Sequence, residues 1–410
     1  MVRLLLKNTY FFSVLIFLSG MISCKSQIKE KNPDSTENST ETIPKKISVG
    51  ANNTASYLKL LENKNIAVVA NQTSVIFKSN KSYTHLVDSL LARGIQIKKV
   101  FAPEHGFRGK ADAGEHVADG KDAKTGLSII SLHGKSRKPS QEQLEGLDLV
   151  VFDIQDVGVR FYTYIATLQY VMEACAEAKI PVLVLDRPNP NGHYIDGPTL
   201  EPDHKSFLGL NPIPLVYGMT IGEYAQMING EGWLKGAVKC DLTVIPLKNY
   251  THASSYKLLI RPSPNLPNDT AINLYSSLGF FEGTPINAGR GTEMQFQVYG
   301  APFFAKSKFT YTPKANFGSK YPKHKDELVN AVDLRDKERL SEVNLKWLID
   351  AYQKTPKTVE FFGPTFTVHA GSKNLQEQLE KGMTQDQIKA SWQKDLAAFK
   401  KIREKYLIYK

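Results

Sequence analysis

Between residues 65 and 247 the chain repeats one pattern. Six apolar runs of strand length, "NIAVVAN" (65–71), "IQIKKVFA" (95–102), "LSIISLHG" (127–134), "LDLVVFDIQ" (147–155), "IPVLVLD" (180–186) and "CDLTVIPL" (240–247), are interleaved with segments of helical period. The helical segments are "THLVDSLLARG" (84–94), "YIATLQYVMEACAEAK" (164–179) and "TIGEYAQMINGEG" (220–232), the last opening on Thr220 as an N-cap. Strands that are apolar throughout must be covered on both faces, and the helices between them supply the cover. The pattern predicts an α/β fold: a Rossmann-like parallel sheet with helices on both faces.

After about residue 285 the rhythm changes. "MQFQVYGAPF" (294–303) alternates like a half-exposed strand, and "FFGPTFTVHAG" (361–371) reads as a further short β piece. Residues 384–407 read as one long amphipathic helix capped by Thr384. A smaller C-terminal α+β domain is expected over 286–410, completing a cleft with a Rossmann-like catalytic domain over 48–285.

The first 24 residues read as an address. Arg3 and Lys7 precede "YFFSVLIFLSGMIS", which is short for a membrane span, and the run ends at Cys24. This resembles a lipoprotein signal peptide, with Cys24 lipidated and the protein anchored outside the cytoplasm, in the periplasm or at the cell surface. Residues 25–47, polar and without aromatics, read as a disordered tether. Only Cys175 and Cys240 remain, too few for a disulfide framework, and neither CxxC nor HExxH occurs. The formal net charge is +11, and residues 306–410 hold 21 Lys/Arg against 13 Asp/Glu. Those lysines are dispersed among acids rather than interleaved with aromatics, so no nucleic-acid partner is expected; a diffuse basic surface suits an anionic polymer or membrane.

In open parallel sheets, ligands bind beyond the carboxyl ends of the strands. Three strands here run into polar, Gly/Pro-rich sequence. The second runs into "PEHGFRG", with Glu104, His105 and Arg108. The fourth runs into "DIQDVGVRFYTY", with Asp153, Asp156, Arg160 and Tyr162; the fifth into "DRPNPNG", with Arg187, Asn189 and Asn191. A carboxyl group among apolar neighbours serves as a general acid, and paired carboxylates flanking a bond suit glycoside hydrolysis. Arg108, Arg160 and Arg187 are candidates for clamping an anionic substrate group. Further on, "RPSPNLPN" (261–268) is a Pro/Asn loop, and "FFEGTPINAGRGTE" (280–293) sets Glu282 and Arg290 among glycines that permit close backbone approach. Neither GxGxxG nor a Walker loop is present, so no nucleotide cofactor is expected.

"APEHGFRG", "DIQDVGVRFYTYI", "LDRPNPNG", "PSPNLPN" and "FEGT…GRGT" together resemble the exo-β-N-acetylmuramidases of the NamZ type, long catalogued as a domain of unknown function. The resemblance spans residues 48–410. It implies a cleft site that releases N-acetylmuramic acid from the non-reducing ends of peptidoglycan fragments, with muropeptides or glycan ends as partners. It also implies Glu104 as the acid, and leaves the second carboxylate among Asp153, Asp156 and Glu282. The lactyl carboxylate of muramic acid gives an arginine in the pocket a purpose; Arg108, Arg160 and Arg290 are the candidates. Two rival readings are a non-catalytic cell-wall sugar binder and a metal-dependent hydrolase using His105, Glu104 and Asp156.

Overall fold

The six apolar runs form β1 (Ile66–Ala70), β2 (Ile97–Ala102), β4 (Ser128–Ser131), β5 (Leu149–Asp153), β6 (Val182–Leu185) and β7 (Leu242–Ile245) of one seven-stranded sheet, whose other strand is the short, exposed β3 (Gly120–Lys121). Their spatial order is β7-β6-β5-β1-β2-β4-β3. All neighbours pair in parallel except the edge strand β3, which is antiparallel to β4 and makes the sheet mixed. The computed structural model describes residues 46–79, 82–109, 119–134 and 136–409; the signal segment, Cys24 and most of the tether lie outside these.

Side chains alternate across the sheet, as the two-residue period of a strand requires. Val68, Val100, Val151 and Leu183 enter one core with Tyr57 and Leu61 of α1 (Thr54–Leu61) and Leu86 and Leu90 of α2 (Leu86–Leu91). Val69, Phe101, Phe152 and Val184 enter the other. There they meet Leu168, Val171 and Met172 of α3 (Tyr164–Glu177) and Ile221, Ala225 and Ile228 of α4 (Ile221–Gly230). Both faces are therefore covered by helices. Thr220 caps α4 as expected: its hydroxyl accepts from the Glu223 N–H, and the Glu223 side chain accepts from the Thr220 N–H.

The C-terminal region, entered through α5 (Asp269–Leu278) and containing α6 (Lys346–Lys354), is α+β. β8 (Val298–Ala301), β9 (Phe309–Tyr311) and β10 (Val329–Asp333) make an antiparallel sheet in the order β8-β10-β9. Only a small cluster around Val298, Tyr311 and Val329 is separate from the main cores; Tyr299, Leu334, Leu348 and Phe399 join the core on the α3 face. Lys45–Lys410 is one compact unit.

Two local expectations are corrected. The β piece expected within 361–371 is instead a short helix, α7 (Phe366–Ala370), ending on Gly371 in the left-handed conformation. The long helix expected over 384–407 is two, α8 (Gln385–Ser391) and α9 (Gln393–Glu404), broken at Trp392, whose indole is buried. Thr384 caps α8. No described helix is long and apolar enough to cross a membrane.

Candidate active site

Strand order reverses at β1, with β2 on one side and β5 on the other. This is the switch point beside which such sheets bind ligands. β2 ends at Ala102, and Pro103 starts a turn closed by the Gly106 N–H donating to the Pro103 carbonyl at 3.0 Å. His105 occupies the left-handed region at φ 72° within that turn. For a residue with a Cβ this conformation costs about 1–2 kcal/mol, and such strain collects at functional sites. The turn presents Glu104 half-buried beside a buried His105.

Glu104 and His105 line a cavity of about 470 Å³ with Phe161, Tyr162, Thr163, Tyr275, Glu282, Arg290, Lys323 and His369, a size typical of small-molecule sites. Leu208, Ser263, Asn265, Asn287 and Phe296 also border it, and the exposed Tyr321 stands at its edge. One side is aromatic: Tyr275 packs edge-on against Phe161 at 5.0 Å and Phe296 at 4.7 Å between ring centres. The Tyr162 hydroxyl donates to the Pro262 carbonyl at 2.8 Å, fixing the 261–268 loop against α3's start.

The polar side carries the chemistry. Glu104 Oε2 accepts from the Thr163 hydroxyl at 2.7 Å. Glu282 is paired with Arg290, whose Nε lies 3.0 Å from Oε1. Burial raises the Glu282 pKa, but Arg290, Lys323 and His369 outweigh it, and the carboxyl is held below its ordinary range. Lys323 Nζ donates to the Phe281 and Glu282 carbonyls at 2.6 and 3.2 Å, so the lysine braces the Glu282 turn. Burial lowers the pKa of Lys323, and that of the His369 imidazole as well.

Of the residues expected from sequence, the structure brings Glu104, His105, Tyr162, Glu282 and Arg290 to this cavity. Asp153 is fully buried in a two-point ion pair with Arg187, at 2.6 Å to Nε and 2.9 Å to Nη2. Asp156 is buried too; its Oδ2 accepts from the Tyr217 hydroxyl and, at 2.6 Å, from the Gly158 N–H. Burial pushes its carboxyl up to about 6. Neither aspartate borders the cavity.

The expected arginine clamp is corrected in the same way. Arg108 is bound to Asp122, at 2.8 and 3.1 Å, and to Asp88 at 3.3 Å. Arg187 belongs to Asp153. Arg160 is 1% exposed and donates to four backbone carbonyls, those of Pro198, Ile213, His369 and Ala370. Asn189 holds the Met219 carbonyl and the Asn191 N–H, while Asn191 holds the Val157 and Ile272 carbonyls. None of these arginines and asparagines borders the cavity. The rival metal set is not assembled: Asp156 lies apart from Glu104 and His105 in its bonding, and among the described residues no group of three His, Cys, Asp or Glu is placed to hold a metal ion.

Sequence reasoning missed Thr163, Tyr275, Lys323 and His369. Thr163 adjoins a motif already singled out. Lys323 and His369 carried no local signal, since they come from a lysine-rich stretch and from a segment expected to be β.

Residues 66–270 match the family model for the N-terminal part of exo-β-N-acetylmuramidase NamZ, and residues 273–409 match that for its C-terminal part. The peptidoglycan β-N-acetylmuramidase NamZ of Bacillus subtilis (strain 168) is 37% identical, over 98% of this chain and all of its own length. Two crystal structures of DUF1343 family proteins from Bacteroides fragilis NCTC 9343 share the fold. One is 43% identical with a TM-score of 0.82, the other 28% identical with a TM-score of 0.75; each covers 89% of this chain and 99% of its own. The chain belongs to the NamZ exo-β-N-acetylmuramidase family.

Proposed function

We propose that this chain is a glycoside hydrolase that releases N-acetylmuramic acid from the non-reducing ends of peptidoglycan fragments. One observation carries the reading beyond family membership: two carboxylates, Glu104 and Glu282, line one cavity with two cations, Arg290 and Lys323. Glu104 protonates the departing glycosidic oxygen as the bond to the sugar's anomeric carbon breaks. Glu282, held ionised by its cationic neighbours, is the second carboxylate and faces the positive charge that develops on the ring. Arg290 meets the lactyl carboxylate that distinguishes muramic acid from N-acetylglucosamine, and Lys323, whose N–H groups go to the Phe281, Glu282 and Ile286 carbonyls, adds positive charge behind it. The aromatic side, with Phe161, Tyr275 and Phe296, takes the sugar's apolar face.

The test uses an aryl β-N-acetylmuramide and its N-acetylglucosamine counterpart. Glu104→Gln should lower kcat on the muramide by roughly 10²–10⁴-fold while the fold is kept. Near-normal turnover would remove Glu104 from the role, and retention of an unchanged sugar by the wild-type protein would favour a binding protein instead. Replacing Arg290 or Lys323 by Met should lower kcat/KM on the muramide about tenfold more than on the glucosaminide. Equal losses on both sugars would contradict the carboxylate assignment.

Lipidation of Cys24 and work outside the cytoplasm complete the reading; the N-terminal sequence supports them. Labelled fatty acid should enter the wild type in cells and not Cys24→Ser; equal labelling would overturn the anchor.

A further inference from the structure

The 14-residue helix α3 starts in an unusual way. Thr163 stands at its N-cap position, where a threonine hydroxyl ordinarily accepts from a backbone N–H of the first turn. Thr163 makes no such cap, although threonines cap α4 and α8 in that manner. Its hydroxyl instead donates to Glu104 Oε2 at 2.7 Å, across from β2. Thr163 is itself helical, at φ −70° and ψ −6°, whereas the capping Thr220 and Thr384 are extended, so its hydroxyl is not turned to the first-turn N–H groups and serves the carboxylate.

We infer that Thr163 is a positioning residue that sets the acidity of Glu104; this rests on the reading of Glu104 as the acid. A hydroxyl donating to a carboxylate favours the ionised form. The carboxylate also lies at the N-terminal end of α3, where the helix dipole favours negative charge. Both influences oppose the half-burial and the aromatic surroundings, which favour the neutral acid. The Thr163 contact thus favours the carboxylate that must form when the proton is given up, and its loss favours the neutral acid.

Other charged or titratable groups face the same space. His105 follows in the turn; Tyr162 and Tyr164 come from α3's start, and Tyr275 lies across the cavity. Glu282, Arg290, Lys323 and His369 form the far side. None is altered by changing Thr163, so a pH profile isolates its effect.

The experiment measures kcat/KM on the aryl muramide against pH for the wild type, Thr163→Val, Thr163→Ser and Glu104→Gln, each checked for folding by circular dichroism. The alkaline limb of kcat/KM reports the free enzyme's essential acid. Thr163→Val should move that limb up by about one pH unit, because the ionised carboxylate loses a donor. Thr163→Ser, which keeps the hydroxyl, should leave it in place. A Thr163→Val profile lowered equally at every pH, with the limb unmoved, would overturn the inference while leaving Glu104 as the acid. An active Glu104→Gln would instead bring down the reading beneath it. Should Thr163→Val fail to fold, Thr163→Ala gives the same measurement.

Discussion

Arg108, Arg160, Arg187 and Arg290 look alike in the sequence, each a guanidinium in a Gly/Pro-rich segment, yet they hold four different posts. Arg290 shares the cavity with Glu282, whereas the first three are bound to Asp122, backbone carbonyls and Asp153. A sequence shows which strand a loop follows, but the direction of a long side chain depends on its acceptors, and these come from distant residues. The Arg160 acceptors at Ala370 are 210 positions away. Glu104 was legible because a short turn leaves its side chain few directions; Asp153 at the end of β5 and Asp156 beyond it were not, since continued burial there turns them into the protein. At this scale Arg108→Met is a control. It should leave the ratio of muramide to glucosaminide kcat/KM within twofold of wild type, while any stability loss stays near the ~1 kcal/mol of a partly exposed ion pair. A changed ratio would mean that Arg108 reaches the sugar.

Among elements, α7 shows where local propensity fails. "FTVHA" is rich in residues that favour strands, and it is helical because of where it packs. Gly283 approaches so closely that an added Cβ would lie 2.4 Å from the Phe366 Cα. Arg160 then ties the end of α7, through the His369 and Ala370 carbonyls, to the Pro198 and Ile213 carbonyls. The six long apolar strands needed no such help, since period and length settled them. Arg160→Met should therefore destabilise the protein by about 3 kcal/mol or more, because four buried carbonyls lose their donor. It should also raise KM, since His369 lines the cavity. Urea denaturation with kinetics on the same sample checks both; a loss below about 1 kcal/mol would contradict the strut. Gly283→Ala should likewise lower activity, as the Glu282 turn is displaced by the new methyl.

For the whole molecule, buried acids tie stability to pH. The Asp156 carboxyl is pushed up to about 6 and Asp186 up to about 7, both by burial first; an unfolded aspartate titrates near ~3.9. Between these values the fold holds protons that the unfolded chain releases. Their contribution is full below about pH 4 and is lost as pH rises through about 6 for Asp156 and about 7 for Asp186. Asp156→Asn lacks its share. The melting temperature of Asp156→Asn minus that of wild type should become more positive from pH 5 to pH 7, and a difference constant across that range would contradict the assignment. The sheet and the motifs at its strand ends were readable from the sequence; the strand order and its reversal at β1 came with the structure. On the far wall Glu282 and Arg290 were readable too, but Lys323 and His369 were not, because they reach the cavity only once the C-terminal region packs onto the α3 face.

The most direct measurement follows products over time from a peptidoglycan-derived chain that begins with N-acetylmuramic acid, for the wild type and for Glu104→Gln. The wild type should liberate free N-acetylmuramic acid from the first minutes, with the remaining chain shortened by one sugar and no internal fragments, and Glu104→Gln should liberate essentially none. Internal fragments from the wild type, or free sugar from Glu104→Gln at a comparable rate, would contradict an acid-bearing cavity that works from the chain end.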